Sequence, residues 1–242
     1  MIQSNFRCPG KEALPEVGWQ LDSFGHSLTQ VKIFHAIGYK AVFFQRYHFA
    51  EKRARFQNGT QIFQWQLSPN TSLLTLTFDQ YTSQGPFQYD GHWNHYVMPT
   101  VSDILYYIHN MPLVKNAHLK NVFILLGGDF QYMKAEGNFH RADQLIQKIN
   151  SHNTSDVYLT YSTPSCYLEA IQNEKWTSRN GDFMPYVSSK KVFVAWFFSK
   201  LYFVDGNKVW SGFYTSRPNL KFLARQANSI LQVVKQMNVL YG

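Results

Sequence analysis

The feature that most constrains the fold is a repeated unit: a short apolar run, a polar tip, then a stretch with helical spacing. Residues 17–21 are apolar and stop at Asp22, and Leu28, Val31, Ile33, Phe34 and Ile37 then recur at the spacing of one helix face, with Gly38 as a stop signal. Residues 41–44 (Ala-Val-Phe-Phe) form a short buried strand ending at Gln45-Arg46. Residues 63–66 and 73–78 read as further strands, the second closing on Asp79. Residues 101–109 have helical spacing, and 121–126 form the clearest buried strand, ending at Gly127-Gly128-Asp129. A helix over 139–150, a strand over 156–161 and a long amphipathic helix over 217–240 complete the series, with Pro218 at a tolerated first-turn position. Strand, polar tip, helix and strand again predict an α/β fold with a parallel sheet covered by helices.

In such folds ligand sites collect at the carboxyl ends of the strands. Those ends here carry Asp22, Arg46, Asp79, Asp129 and Ser162-Thr163. Two carboxylates facing one another across a cleft suit glycoside chemistry, with the carboxyl groups about 5 Å apart in retaining enzymes. Helix caps and turns are the structural alternative for Asp22 and Asp129. Phe24, Trp65, Tyr81, Trp93, Trp210 and Tyr214 offer flat faces on which sugar rings pack, against a core role for each. His26, His92 and His95 could ligate a metal, or serve as hydrogen-bonded histidines.

Composition narrows the class further. Aromatics make up 17% and charged residues only 16% of the 242 residues, which excludes global disorder. No apolar stretch approaches the ~18 residues of a spanning helix. The 23 basic residues exceed the 15 acidic ones by 8, yet they are scattered and accompany no nucleic-acid motif, so no nucleic-acid partner is expected. Cys8 and Cys166 permit at most one disulfide. N-glycosylation sequons at Asn58, Asn70 and Asn153 favour the secretory pathway, whereas the first eight residues contain no apolar signal core.

Five ordered blocks resemble family 38 glycoside hydrolases, the lysosomal and Golgi class II α-mannosidases. Residues 18–27 (Gly-Trp-Gln-Leu-Asp-Ser-Phe-Gly-His-Ser) resemble the family's Asp-Pro-Phe-Gly-His-Ser signature. Residues 38–46, ending in Phe43-Phe44-Gln45-Arg46, resemble its arginine-tipped strand, and Gly128-Asp129-Phe130-Gln131-Tyr132 its Gly-x-Asp-Phe block. Tyr161-Ser162-Thr163-Pro164 is similar to a sequence of the lysosomal branch, and residues 210–218 to the block ending Thr-Ser-Arg-Pro. The resemblance implies a barrel-like β/α catalytic domain and retaining removal of terminal α-mannose from a mannose-containing oligosaccharide or N-glycan. It implies that Asp22 is nucleophile and zinc ligand and that Asp129 is acid/base. Phe24, Arg46, Tyr81 and Trp210 would contact the sugar, and the lysosome would be the compartment.

The departures are specific. The family's zinc takes further ligands from an upstream H-x-D and a downstream H-H-D, and neither motif occurs in residues 1–242. Ser23 stands where the family has proline, and residues 187–207 replace a short connection with an unusually apolar insert. The resulting expectation is a partial catalytic domain over 1–242, with zinc binding and activity impaired. A catalytically inactive carbohydrate-binding relative is the alternative.

Overall fold

The computed structural model describes residues 15–80, 85–87, 98–153, 155–197 and 200–241. The centre is a five-stranded sheet in the order β1-β2-β4-β3-β5, comprising β1 (Val17–Gln20), β2 (Ala41–Phe44), β3 (Ile62–Ser68), β4 (Thr71–Thr77) and β5 (Ser178–Arg179). β1, β2 and β4 run parallel, Val17 opposite Ala41 and Ala41 opposite Leu74. β3 is antiparallel to β4, because Pro69-Asn70 joins them as a tight hairpin with Ser68 opposite Thr71. The class is α/β as expected. The all-parallel arrangement is not found, since the sheet is mixed, and among the described residues it is open rather than closed into a barrel.

Period-two alternation places apolar side chains on both faces. Ala41, Phe43, Ile62, Leu74 and Leu76 point to one face, where Leu113 of α4 (Pro112–Lys115) and Tyr167 of α6 (Pro164–Ala170) cover them. Val42, Phe44, Phe63, Trp65 and Leu73 point to the other, under Val31 of α1 (Leu28–Ala36) and Phe183. Phe183 stands at the middle of this second face. Its ring lies 4.7 Å from Trp65, 5.0 Å from Phe44 and 5.4 Å from Tyr47, mostly edge to face. A third cluster joins α3 (Val101–His109) to α5 (Ala135–Asn150) through Ile104, Ile108, Leu145 and Ile149. Thr100 and Asp103 close a capping box at the start of α3.

Residues 121–126 and 156–161 correct the expectation of two further strands. Both are irregular, without ladder pairing, and line an apolar cleft of about 1210 Å³ beside Trp19, Tyr167 and α5. Ile124, Val157 and Leu159 still pack on the third cluster. Residues 187–207 lie in an antiparallel hairpin of β6 (Val187–Phe197) and β7 (Lys200–Val209), a separate two-stranded sheet. A short α7 (Gly212–Thr215) leads to α8 (Pro218–Tyr241), whose apolar side chains, such as Leu223, Ile230 and Val234, are exposed. Cys166 is disulfide-bonded.

α2 (Phe49–Asn58) is fixed to the sheet by an ion network. Glu51 bonds Arg55 at 2.8 Å and Arg179 of β5 at 3.1 Å, and the two guanidiniums lie over Phe63 and Phe183 at 3.9 and 3.6 Å. Burial of Glu51 opposes its ionisation, but its hydrogen bonds to Arg179 and Arg55 prevail and hold its pKa below the usual carboxylate value.

Candidate functional site

The site assembles at the carboxyl end of β1 and β2. Beyond Gln20 the chain bends through Asp22 and turns back at Gly25, whose φ is +107°. That φ favours glycine, and a Cβ there would also lie 3.1 Å from the Phe183 carbonyl oxygen and displace the Met184 side chain. His26 and Phe183 then exchange backbone hydrogen bonds of 3.0 and 3.1 Å, tying the turn to the core.

Asp22 is 61% exposed at its side chain and accepts from Arg46 Nε at 2.5 Å, through Oδ1. The Arg46 guanidinium lies 5.3 Å from the ring centres of both Phe24 and Trp210. Burial works against the Arg46 charge, and hydrogen bonds to Asp22 and Tyr186 outweigh it, raising its pKa above the usual value. Phe24 stands in an aromatic wall, 5.3 Å from Trp210 and 5.4 Å from Phe213. Its N–H donates to Tyr214 Oη at 2.8 Å, and its carbonyl accepts from Ser211 Oγ at 2.8 Å. Trp210 is fixed in turn by Nε1 donating to Ser188 Oγ at 2.7 Å, and its ring stacks on Tyr186.

Four of the residues singled out in the sequence, Asp22, Phe24, Arg46 and Trp210, therefore form one cluster. Asp129 occupies an exposed turn after residues 121–126, a segment that reaches the sheet through Phe123, 6.2 Å from Trp19 of β1. Tyr81, Trp93, His92 and His95 lie outside the described residues. Trp65 is fully buried, a core residue rather than a sugar platform. Sequence reasoning missed Tyr186 and Ser211 as parts of the site. Ser211 Oγ accepts from the Tyr186 N–H at 2.7 Å, so one hydroxyl holds both the Phe24 turn and the Tyr186 segment.

His26 is buried and neutral. Its ring stacks on Phe44 at 4.0 Å, and Nδ1 lies 3.4 Å from Gln20 Oε1. Burial pushes its pKa down to about 3, and the Arg46 backbone opposes this only weakly. The unfolded chain protonates His26 near pH 6.5 and the folded chain does not until about pH 3. Its contribution to stability is therefore complete above pH 6.5 and is lost as the pH falls below it, by about 1.4 kcal/mol per pH unit. Thermal melts at pH 7, 6 and 5 should show this slope, and His26→Gln should flatten it. Parallel slopes in the two proteins would remove His26 as the cause.

A catalytic zinc ordinarily takes about three protein ligands. Among the described residues no group of three or more His, Cys, Asp or Glu is placed to hold a metal, and Asp22 is engaged by Arg46. The described residues do not fit a zinc ion. They offer a carboxylate, a fixed cation and an aromatic wall. Among them, no helix is long and apolar enough to cross a membrane.

An α/β domain with a carboxylate–arginine pair beneath aromatic rings at the strand-end rim has the form of a ligand-binding domain with both charged and apolar contacts to offer. Residues 3–189 match the Glycosyl hydrolases family 38 N-terminal domain, and the chain belongs to that family. It is 30% identical to lysosomal alpha-mannosidase of Felis catus over 96% of this chain and 24% of that protein. It is 29% identical to lysosomal alpha-mannosidase of Homo sapiens over 96% of this chain, and 30% identical to alpha-mannosidase F of Dictyostelium discoideum over 93%. The chain spans about a quarter of the length of these curated relatives.

Proposed function

We propose that the chain carries the reacting carboxylates of a retaining α-mannosidase that removes terminal α-mannose from N-glycan-type oligosaccharides. The observation behind this reading is the Asp22–Arg46 pair beneath Phe24 and Trp210. Arg46 holds Oδ1 of Asp22, which leaves Oδ2 for the anomeric carbon. In the first step Oδ2 bonds to that carbon, the glycosidic C–O bond breaks, and Asp129 delivers its proton to the departing oxygen. In the second, Asp129 takes a proton from water, the water oxygen displaces Asp22, and mannose leaves with its configuration retained. Phe24 and Trp210 supply apolar faces for the ring, and Tyr81 is a further sugar contact by family resemblance. The described residues do not fit the zinc that the family resemblance implies, so no step here passes through a metal, and turnover without one is expected to be slow. The lysosome is the proposed compartment, in line with the names of the two lysosomal alpha-mannosidases.

The test does not need fast turnover. A fluorinated mannosyl fluoride, which forms the glycosyl ester but releases it slowly, should leave one adduct on the peptide containing Asp22, read by mass spectrometry. Asp22→Asn should carry none. An adduct elsewhere, or none in a chain that still binds mannose, overturns the catalytic reading, and the second outcome favours a carbohydrate-binding role.

A further inference from the structure

A cavity of about 420 Å³ opens beside α2, from Phe49 to Gln57. Lys52 and Arg53 line it together with Phe49, Phe56, Tyr186 and Asp79, which lies two residues past the end of β4. Ser188 and Ser189 of β6 close the rim. Tyr186 is shared: it lines this cavity, partners Arg46 and stacks on Trp210. The cavity therefore adjoins the Asp22 cluster through one aromatic ring.

Its charge is unbalanced. Among the described residues that line it, Lys52 and Arg53 face one carboxylate, Asp79, and the acid nearest in sequence, Glu51, is already held by Arg55 and Arg179. Lys52 Nζ donates to the Asp79 backbone carbonyl at 3.2 Å, a neutral acceptor, and lies 5.5 Å from the centre of the Tyr47 ring. Burial pushes its pKa down to about 8, with Asp79 opposing the fall and Arg46 adding to it. A cation so placed gains most from an incoming anion, because the anion restores what desolvation removed. Two cations beside aromatic walls and two serine hydroxyls suit a sugar that bears an acidic group.

The geometry points to a second subsite here, formed by Lys52, Arg53 and Tyr186, that takes the phosphate group of a phosphorylated hexose whose ring lies at the Asp22 cluster. It rests on the reading of that cluster as a mannose site. The substrates favoured would be glycans with a phosphate ester close to the reacting mannose.

Calorimetric titration of the chain with mannose, mannose 6-phosphate and inorganic phosphate tests this. Mannose 6-phosphate should bind at least about tenfold more tightly than mannose, the effect of one or two charge-assisted hydrogen bonds. Lys52→Met should bring that ratio to about two or below and leave mannose binding unchanged, and the exposed Arg53→Gln should lower it partway. A ratio near one in the parent chain, or one unaltered in both variants, overturns the subsite. Inorganic phosphate binding as tightly as the sugar phosphate overturns the hexose assignment. Lys52-dependent phosphate binding without any mannose binding keeps the anion site and overturns the mannose reading instead.

Discussion

Asp22→Asn is expected to bring hydrolysis of dinitrophenyl α-mannoside to the uncatalysed rate, a fall of about a thousandfold or more. The amide keeps the shape of the Asp22 side chain, so the Gly25 turn and the Phe24 wall persist. It loses the charge that pairs with Arg46 and the nucleophilicity needed to form a glycosyl ester. Asp129→Asn should behave differently. A dinitrophenolate leaves without a proton, so the first step survives on this substrate and fails on an ordinary oligosaccharide. The second step still lacks its base, and added azide, which needs none, should restore turnover and yield the mannosyl azide. Steady-state rates on both substrates, with and without azide, separate the two roles. More than about a tenth of the parental rate in Asp22→Asn would remove it as the nucleophile.

Phe183→Ala is expected to cost about 3–5 kcal/mol, a large share of the stability of a domain this size. Phe183 is 3% exposed, and its ring meets Trp65, Phe44, Tyr47 and Phe63 while the Arg179 guanidinium lies 3.6 Å from its centre. Truncation leaves a cavity bounded by large rigid rings, which collapse poorly, so the upper part of the range applies. It also removes the face on which Arg179 rests, loosening the Glu51 network. At roughly 2–4 °C per kcal/mol the melting temperature should drop by about 8–20 °C. Phe183→Leu, which refills most of the volume, should cost less than half as much. Equal melting temperatures for parent and alanine variant would mean that this face is not closed by Phe183.

β2 was legible in the sequence because its four residues are buried on both faces and read as an uninterrupted apolar run. Residues 121–126 looked the same and are not a strand. Apolar runs report burial and not ladder partners, and this segment buries Ile124 against the third cluster beside α5 while Phe123 reaches Trp19. The antiparallel turn of β3 was signalled by Pro69-Asn70 between two apolar runs, a hairpin cue overridden by the expectation of a parallel sheet. At the site, Asp22 and Arg46 were legible as strand-end residues of neighbouring strands. Tyr186 and Ser211 were not, because their roles come from backbone bonds spanning 25 and 187 residues, which no local pattern encodes.

The position of Phe183 also sets an order of events during synthesis. β1 to β4 are complete by Thr77, and every pairing among them lies within residues 17–77, so this part can form early on the ribosome. The ring that seals Phe44 and Trp65 arrives about a hundred residues later. At 5–20 residues per second that interval is roughly 5–20 s. Throughout it, the nascent chain presents an aromatic surface flanked by the cations Arg55 and Lys52, the kind of patch that holding chaperones bind. A chain ended before residue 183 should remain bound to such a chaperone, and one extended past it should be released.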